Sequence, residues 1–182
     1  MNKKIFSVIV GLSCCFSACS DWVDVKTKGS LVPEETENYR YLMNNTENFR
    51  WTLSYHDVAS DDIDISDPAQ QEAIYETNKF IPVYTWADEI YSQSENDTEM
   101  NKVYQVIYNC NVVIDEVMDS KNGTNEEKLE IRAEALVHRA EAYLTLVNVY
   151  GVPYNAATAS TDQGVPLLTT PRVEGALPRA SV

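Results

Sequence analysis

Positive charge is scarce in this chain: 182 residues carry 14 Lys and Arg against 28 Asp and Glu, a formal net charge of −14 at pH 7. A surface so acidic repels phosphate backbones, and no basic groove can be assembled from it, so nucleic acid is excluded as a partner. Histidine is scarcer still. His56 and His138 are the only two, and no serine stands in a G-x-S-x-G setting, so nothing supports a histidine-bearing catalytic triad. Long apolar runs are missing as well. The stretch from Ile5 to Leu12, with Ser7 inside it, is about half of the roughly twenty residues that a bilayer-spanning helix needs. Three of the four cysteines, Cys14, Cys15 and Cys19, crowd near the start, which leaves Cys110 as the single thiol of the remaining chain. With Cys14 and Cys15 lost in a leader and Cys19 expected to carry lipid, the folded part has no internal disulfide to rely on and must be held by packing.

What the start does contain is ordered. Lys3 and Lys4 precede the apolar run, and the small residues Ser17 and Ala18 follow it. That is the layout of a secretory signal peptide over residues 1–18. Phe16-Ser17-Ala18-Cys19 resembles a bacterial lipobox, in which the cysteine after small residues is acylated and becomes the new N-terminus. Leu12-Ser13-Cys14-Cys15 is a competing frame, and an ordinary secreted protein cut near Ala18 is the plainer alternative. Cys19 is preferred because the polar Ser20 and Asp21 follow it at once, whereas Cys15 is followed by more apolar sequence. Several acyl tails on one residue hold a protein stably on a membrane, where a single tail is marginal. Loss of Lys3 and Lys4 with the leader leaves 12 cationic against 28 acidic residues. Residues 19–32, polar and without helical period, read as a tether.

The body is expected over residues 33–182. Pro33 followed by Glu34 and Glu35 suits a helix N-terminus, and Tyr39, Leu42 and Met43 follow at helical spacing, which predicts a helix over about 33–45. Residues 46–98 break every apolar run with Asn, Asp, Ser or Pro, so they read as an irregular excursion with one short helix near Ala69 to Thr77. From Glu99 the stripe Val103, Val106, Ile107, Cys110, Ile114 and Val117 predicts a helix over about 99–118. Asn122-Gly123 supplies a turn, and Thr124 with Glu127 forms a capping-box pattern that opens a second helix over about 125–150. Its buried stripe reads Leu129, Ala133, Leu136, Val137, Ala140, Tyr143, Leu144 and Val147, with Ala133 and Ala140 allowing close backbone approach. Gly151 and Pro153 end it. Two long helices on a short turn make an antiparallel hairpin of tetratricopeptide-like shape. The fold class is thus mainly all-α, with helical hairpins and long irregular loops.

Asp61-Asp62-Ile63-Asp64-Ile65-Ser66-Asp67 concentrates carboxylates but lacks the glycine and glutamate that an EF-hand loop requires, so a solvated loop without metal is expected. Paired acids are also the tools of glycosidases, yet acids are abundant everywhere here, and no enzyme activity or cofactor is expected. His138 lies four residues after Glu134, which suggests a helix-surface pair.

The second helix and its exit, EIRAEALVHRAEAYLTLVNVYGVPY, resemble the signature of the SusD/RagB family of outer-membrane nutrient-binding lipoproteins. The matching positions are Glu134-Ala135, Arg139-Ala140, Tyr143, Leu146, Tyr150-Gly151 and Pro153. Tyr104, Ile107, Asn111 and Ile114 are similar to the family's partner helix, and the lipobox with SDWVDV and the later GVPLLTTP also fit. The chain is shorter than members of that family usually are, and is expected to be an N-terminal portion.

The resemblance implies a non-enzymatic, lipid-anchored protein at the outer membrane. It would capture oligomeric nutrient, glycan or peptide, and deliver it to a SusC-like TonB-dependent transporter. Glu134 and Arg139 are assigned to structural ion pairing. Ligand is expected on aromatics of the irregular excursion, since a sugar ring has an apolar C–H face that stacks on indole or phenol. Trp86 leads, with Tyr84 and Trp51 behind it. The alternative is a helical-repeat adaptor lipoprotein that binds a protein partner and no nutrient.

Overall fold

The computed structural model describes residues 33–51, 54–77, 80–171 and 177–182. The chain divides into Met1–Val32 and Pro33–Val182, and only the second unit is described. The signal peptide expected over 1–18, the lipidation expected at Cys19 and the tether expected over 19–32 lie outside the described residues.

Helix α1, Thr36–Asn44, opens with a capping box between Glu35 and Asn38 and buries Thr36, Tyr39 and Met43. α2, Thr46–Phe49, is a single turn capped by the Asn45 side chain. Three more helices interrupt the excursion: α3, Tyr55–Val58; α4, Pro68–Thr77; and α5, Ile81–Tyr84. Sequence reasoning anticipated only α4, because a single helical turn is too short to display a 3.6-residue period. Asp67 starts α4 by accepting from the N–H groups of Ala69 and Gln70.

α6, Thr98–Glu116, follows; Asp97 caps it by accepting from the Glu99 and Met100 N–H groups. Val103, Val106, Ile107, Cys110, Asn111, Val113 and Ile114 are its buried residues. A 3₁₀ turn, Val117–Asp119, tightens its end. The chain then reverses through Asn122 and Gly123, both in left-handed backbone conformation (φ 61° and 67°). α7, Asn125–Tyr150, begins with the reciprocal Thr124–Glu127 capping box and packs back along α6.

α1 is locked to this turn from the other side. The Thr36 N–H donates to Lys121 O, the Lys121 N–H donates to Glu34 O, and the Thr36 hydroxyl meets Ser120 Oγ at 2.7 Å. A Cβ on Gly123 would sit 2.6 Å from Thr36 Oγ1. Gly123→Ala therefore combines a steric clash with a left-handed φ that L-residues adopt at a cost of about 1–2 kcal/mol. We expect it to lower stability by at least that much, measured as a shift in the denaturant midpoint with unchanged slope.

The face that α7 buries differs from the expected stripe. Ile131, Ala135, Ala142 and Leu146 are buried, whereas Leu129, Leu136, Val137 and Leu144 are exposed. α7 is apolar on two opposite flanks, so its spacing fixes a period but not which flank faces α6. The small residues that allow close approach are Ala135 and Ala142, both fully buried, two positions further along than Ala133 and Ala140.

After α7 two short strands, β1 (Gln163–Pro166) and β2 (Arg179–Ser181), pair antiparallel with Gln163 opposite Ser181 and Pro166 opposite Arg179. This segment reads as loop in the sequence. Its strands are three and four residues long, with Gly164 and Pro166 among them. The molecule remains mainly helical; this pair is the only sheet among the described residues.

Candidate functional site

The C-terminal end of α5 is unusual. Trp86 N–H donates to Val83 O at 3.2 Å, and Ala87 N–H donates to Pro82 O at 2.8 Å. These two bonds form a Schellman motif, whose left-handed position is ordinarily taken by glycine because it avoids the Cβ penalty. Here the position holds tryptophan, at φ 54°, and the residue is 78% exposed. A bulky residue in that conformation is a true outlier, and such outliers cluster where function demands them.

The indole borders a cleft of about 700 Å³. Part of its wall is Pro82, Val83, Ala87 and Ile90 from the excursion; another part is Asn148, Val149 and Tyr150 at the end of α7, with Arg179 from β2. Arg179 ties that part together, since its Nε donates to Gly164 O at 2.7 Å and its Nη2 to Tyr150 O at 2.5 Å.

Tyr55, Tyr91, Tyr150 and Asp97 meet in this cleft. The Tyr55 ring stands edge-on to Tyr91, Tyr150 and Phe80, with centroids 6.4, 6.2 and 6.2 Å away. Asp97 Oδ1 accepts from the Tyr55 hydroxyl at 3.1 Å and Asp97 Oδ2 from the Tyr150 hydroxyl at 2.7 Å. The Tyr55 and Tyr91 hydroxyls are hydrogen-bonded to each other. Beside them, Glu99 accepts from the Ser54 N–H at 3.0 Å and from the Ser54 hydroxyl at 2.7 Å. Two carboxylates at the start of α6, the cap Asp97 and the first-turn Glu99, thus pin the excursion to the hairpin. Sequence reasoning did not single out this cluster as a unit; Asp97, an N-cap-type residue just before a periodic helix, and Tyr150, a position of the signature, were its legible signs.

The three sequence candidates are not brought together. Trp86 borders the large cleft. Tyr84 lies in a separate apolar cleft of about 400 Å³ with Ile63, Ile65, Tyr75, Phe80 and Ile81, where its hydroxyl accepts from the Ile65 N–H. Trp51 is half-buried against the core. Of the Asp61–Asp67 loop, Asp67 is committed to capping α4.

The other signature residues organise the backbone behind the cleft. Buried Asn111 donates to Leu168 O at 3.0 Å and Thr170 O at 3.1 Å, and accepts from Arg139 Nη1 at 2.8 Å. Tyr143 donates to Leu168 O and accepts from the Leu168 N–H. Arg139 therefore holds an amide and the Thr169 carbonyl, whereas the ion pair expected of Glu134 is made with Arg40 at 2.5 Å. His138 stacks on Phe49 with centroids 4.6 Å apart, and its nearest acid is Glu141 at 4.0 Å, in place of the expected Glu134.

Burial raises the Tyr39, Tyr104 and Tyr150 phenols above their ordinary value of 10.0; Glu116 adds to this at Tyr39 and Asp97 at Tyr150. Burial pushes the Cys110 thiol from 9.0 up to about 12. Groups that hold their proton more tightly when folded add stability that is complete below their unfolded value and is lost as pH rises through the folded one. Stability should thus decline from pH 9, where the unfolded Cys110 begins to ionise, and more steeply above 10. Far-ultraviolet circular dichroism and tyrosinate absorbance should change together in that range, and Cys110 should resist thiol reagents until the fold opens. Noncooperative tyrosinate formation with the helices intact would contradict this.

The family described as SusD-like, starch-binding and associating with the outer membrane matches residues 21–182. No curated protein sequence matches the chain. The match takes in the whole described body, with the Asn111, Arg139 and Tyr143 bonds and the Trp86 cleft, and the chain belongs to the SusD-like family of outer-membrane-associated, starch-binding proteins.

Proposed function

We propose that the protein captures oligomeric nutrient, with glycan the favoured class, in the Trp86 cleft and passes it unaltered to a SusC-like TonB-dependent transporter. The observation that carries this reading is the exposed indole, held over the cleft at a backbone position that glycine would occupy more easily. The C–H face of a sugar ring stacks on the indole, while phenolic oxygens and Asn148 bond its hydroxyls. Tyr84, on the cleft formed by the other side of α5, provides a second contact for a longer oligomer. Trp51 is left to the core.

A signal peptide over residues 1–18, acyl chains on Cys19 and a tether over 19–32 place the body at the outer surface of the outer membrane in this reading. Mass spectrometry of the mature protein is expected to find an N-terminal, acylated Cys19; a free thiol there removes the anchor. Binding is tested by calorimetric titration with a panel of oligosaccharides, in which an unmodified ligand must be recovered. Turnover would overturn the non-enzymatic reading.

The adaptor reading draws support from one feature, the outward apolar flank of α7 with Val137 and Leu144. The two separate cleanly. Joint substitution of Trp86 and Tyr84 by alanine abolishes glycan binding under the first reading and leaves a helix-borne protein contact intact under the second.

A further inference from the structure

The hydrogen bonds on the floor of the Trp86 cleft have a direction. An ionised carboxylate can only accept, and its two oxygens offer about four lone-pair sites. Asp97 accepts from two backbone N–H groups, those of Glu99 and Met100, and from two phenolic O–H groups, those of Tyr55 and Tyr150. Three of these donors share Oδ1 and one is on Oδ2, so whatever capacity Asp97 keeps is that of an acceptor as well. Each phenol has one proton to give. Tyr150 and Tyr55 give theirs to Asp97, and Tyr91, hydrogen-bonded to the Tyr55 hydroxyl and to Asp97, turns its own proton into the same cluster. What the three phenols keep is lone pairs, and all three border the cleft.

We infer that Asp97 sets the polarity of the cleft floor. By consuming the protons of Tyr55, Tyr91 and Tyr150 it leaves a row of acceptors, which selects ligands that present hydroxyl donors over ligands that present carboxylate or sulfate. Asp97 is a positioning residue that acts through the phenols, and this inference rests on the glycan-binding reading. The overall charge of the chain, −14, disfavours anionic ligands in the same sense. Arg179, the one Lys or Arg bordering the cleft among the described residues, spends two of its five N–H groups on the Gly164 and Tyr150 carbonyls and is the one cationic side chain set against the acceptors of the floor. Burial, followed by Asp97 itself, keeps the Tyr91 and Tyr150 phenols protonated well above the usual range, so the arrangement persists at any physiological pH.

The test compares a neutral glucan oligomer with an oligouronate of the same length on the wild-type protein and on Asp97→Asn. Asparagine caps a helix about as well as aspartate, so the start of α6 is kept. Its amide, however, must donate to a phenol, and that phenol's proton is returned to the cleft. The wild type should bind the neutral oligomer more tightly. In Asp97→Asn the neutral affinity should fall about tenfold, the scale of a lost charge-assisted hydrogen bond, while the oligouronate loses less or gains. Phenol titration by absorbance should move to lower pH. Equal wild-type affinity for both oligomers, or an equal loss of both in the variant, overturns the inference.

If Asp97→Asn does not fold, Tyr91→Phe serves in its place, since it removes one hydroxyl of the cluster. It should weaken the neutral oligomer several-fold and leave the oligouronate unaffected; an equal effect on both is again fatal. Trp86→Ala separates the levels. If it leaves all binding unchanged, or if the wild type binds neither oligomer, the cleft reading fails and takes this inference with it. If it abolishes binding while the wild type shows no preference, only the role of Asp97 falls.

Discussion

Replacing Trp86 with alanine is expected to weaken oligosaccharide binding by about tenfold to a hundredfold, corresponding to about 1.5–3 kcal/mol for a lost aromatic anchor. Replacing it with glycine should weaken binding as much and stabilise the fold. The Schellman position at φ 54° penalises any L-residue by roughly 1–2 kcal/mol relative to glycine. The exposed indole recovers little of that through packing, since 78% of the residue faces solvent. Trp86→Gly should therefore raise the thermal midpoint as binding disappears. The two measurements, titration calorimetry and thermal unfolding, must move in opposite senses. A glycine variant that is less stable than the wild type would mean that the indole is packed, and its value as an exposed platform would be lost.

The second large effect concerns α7. Leu146→Ala should cost about 2–5 kcal/mol, because it empties a fully enclosed site against α6. Leu144→Ala, two residues earlier and 61% exposed, should stay within about 0.5 kcal/mol of the wild type. The pair makes a direct measurement of which flank of α7 supports the body. A domain of this kind has about 5–15 kcal/mol in total, so the first substitution removes a large fraction and the second almost none. Comparable denaturant midpoints for both variants would show that the outward flank is covered in solution.

These expectations mark where sequence reasoning succeeds and where it stops. The hairpin was legible because its signals agree: an apolar stripe in α6, a turn at Asn122-Gly123, a capping box at Thr124 and Glu127, and Gly151 at the end. The buried flank of α7 was not, since two apolar flanks give the same period with opposite phase. The helical turns α2, α3 and α5 escaped because four residues cannot reveal a repeat. Among the candidate site residues, Trp86 stood out as an aromatic in an irregular segment, and so did Tyr84 and Trp51, which the fold sends to a different cleft and to the core. Nothing local distinguishes the three. The left-handed turn that exposes Trp86 is formed by bonds to Pro82 and Val83, and tryptophan gives no sequence cue for a position that glycine usually fills. The Asp97 cluster joins residues from 55 to 150, a distance in sequence that no pattern spans.

Of the side chains that face the cleft from the excursion, Tyr55, Pro82 and Val83 are carried by α3 and α5, each a single turn, and Trp86, Ala87, Ile90 and Tyr91 by the irregular chain after α5, whereas Tyr150 and Asp97 belong to the long hairpin. Segments with few enclosed apolar neighbours open independently of the rest, at free energies far below that of global unfolding. Amide hydrogens of α3 and α5 should consequently exchange with deuterium early, while those in the middle of α6 and α7 exchange only when the whole body opens. A sugar bridging the two would slow the fast set and leave the slow set untouched, so occupancy could be followed residue by residue without labelling the ligand.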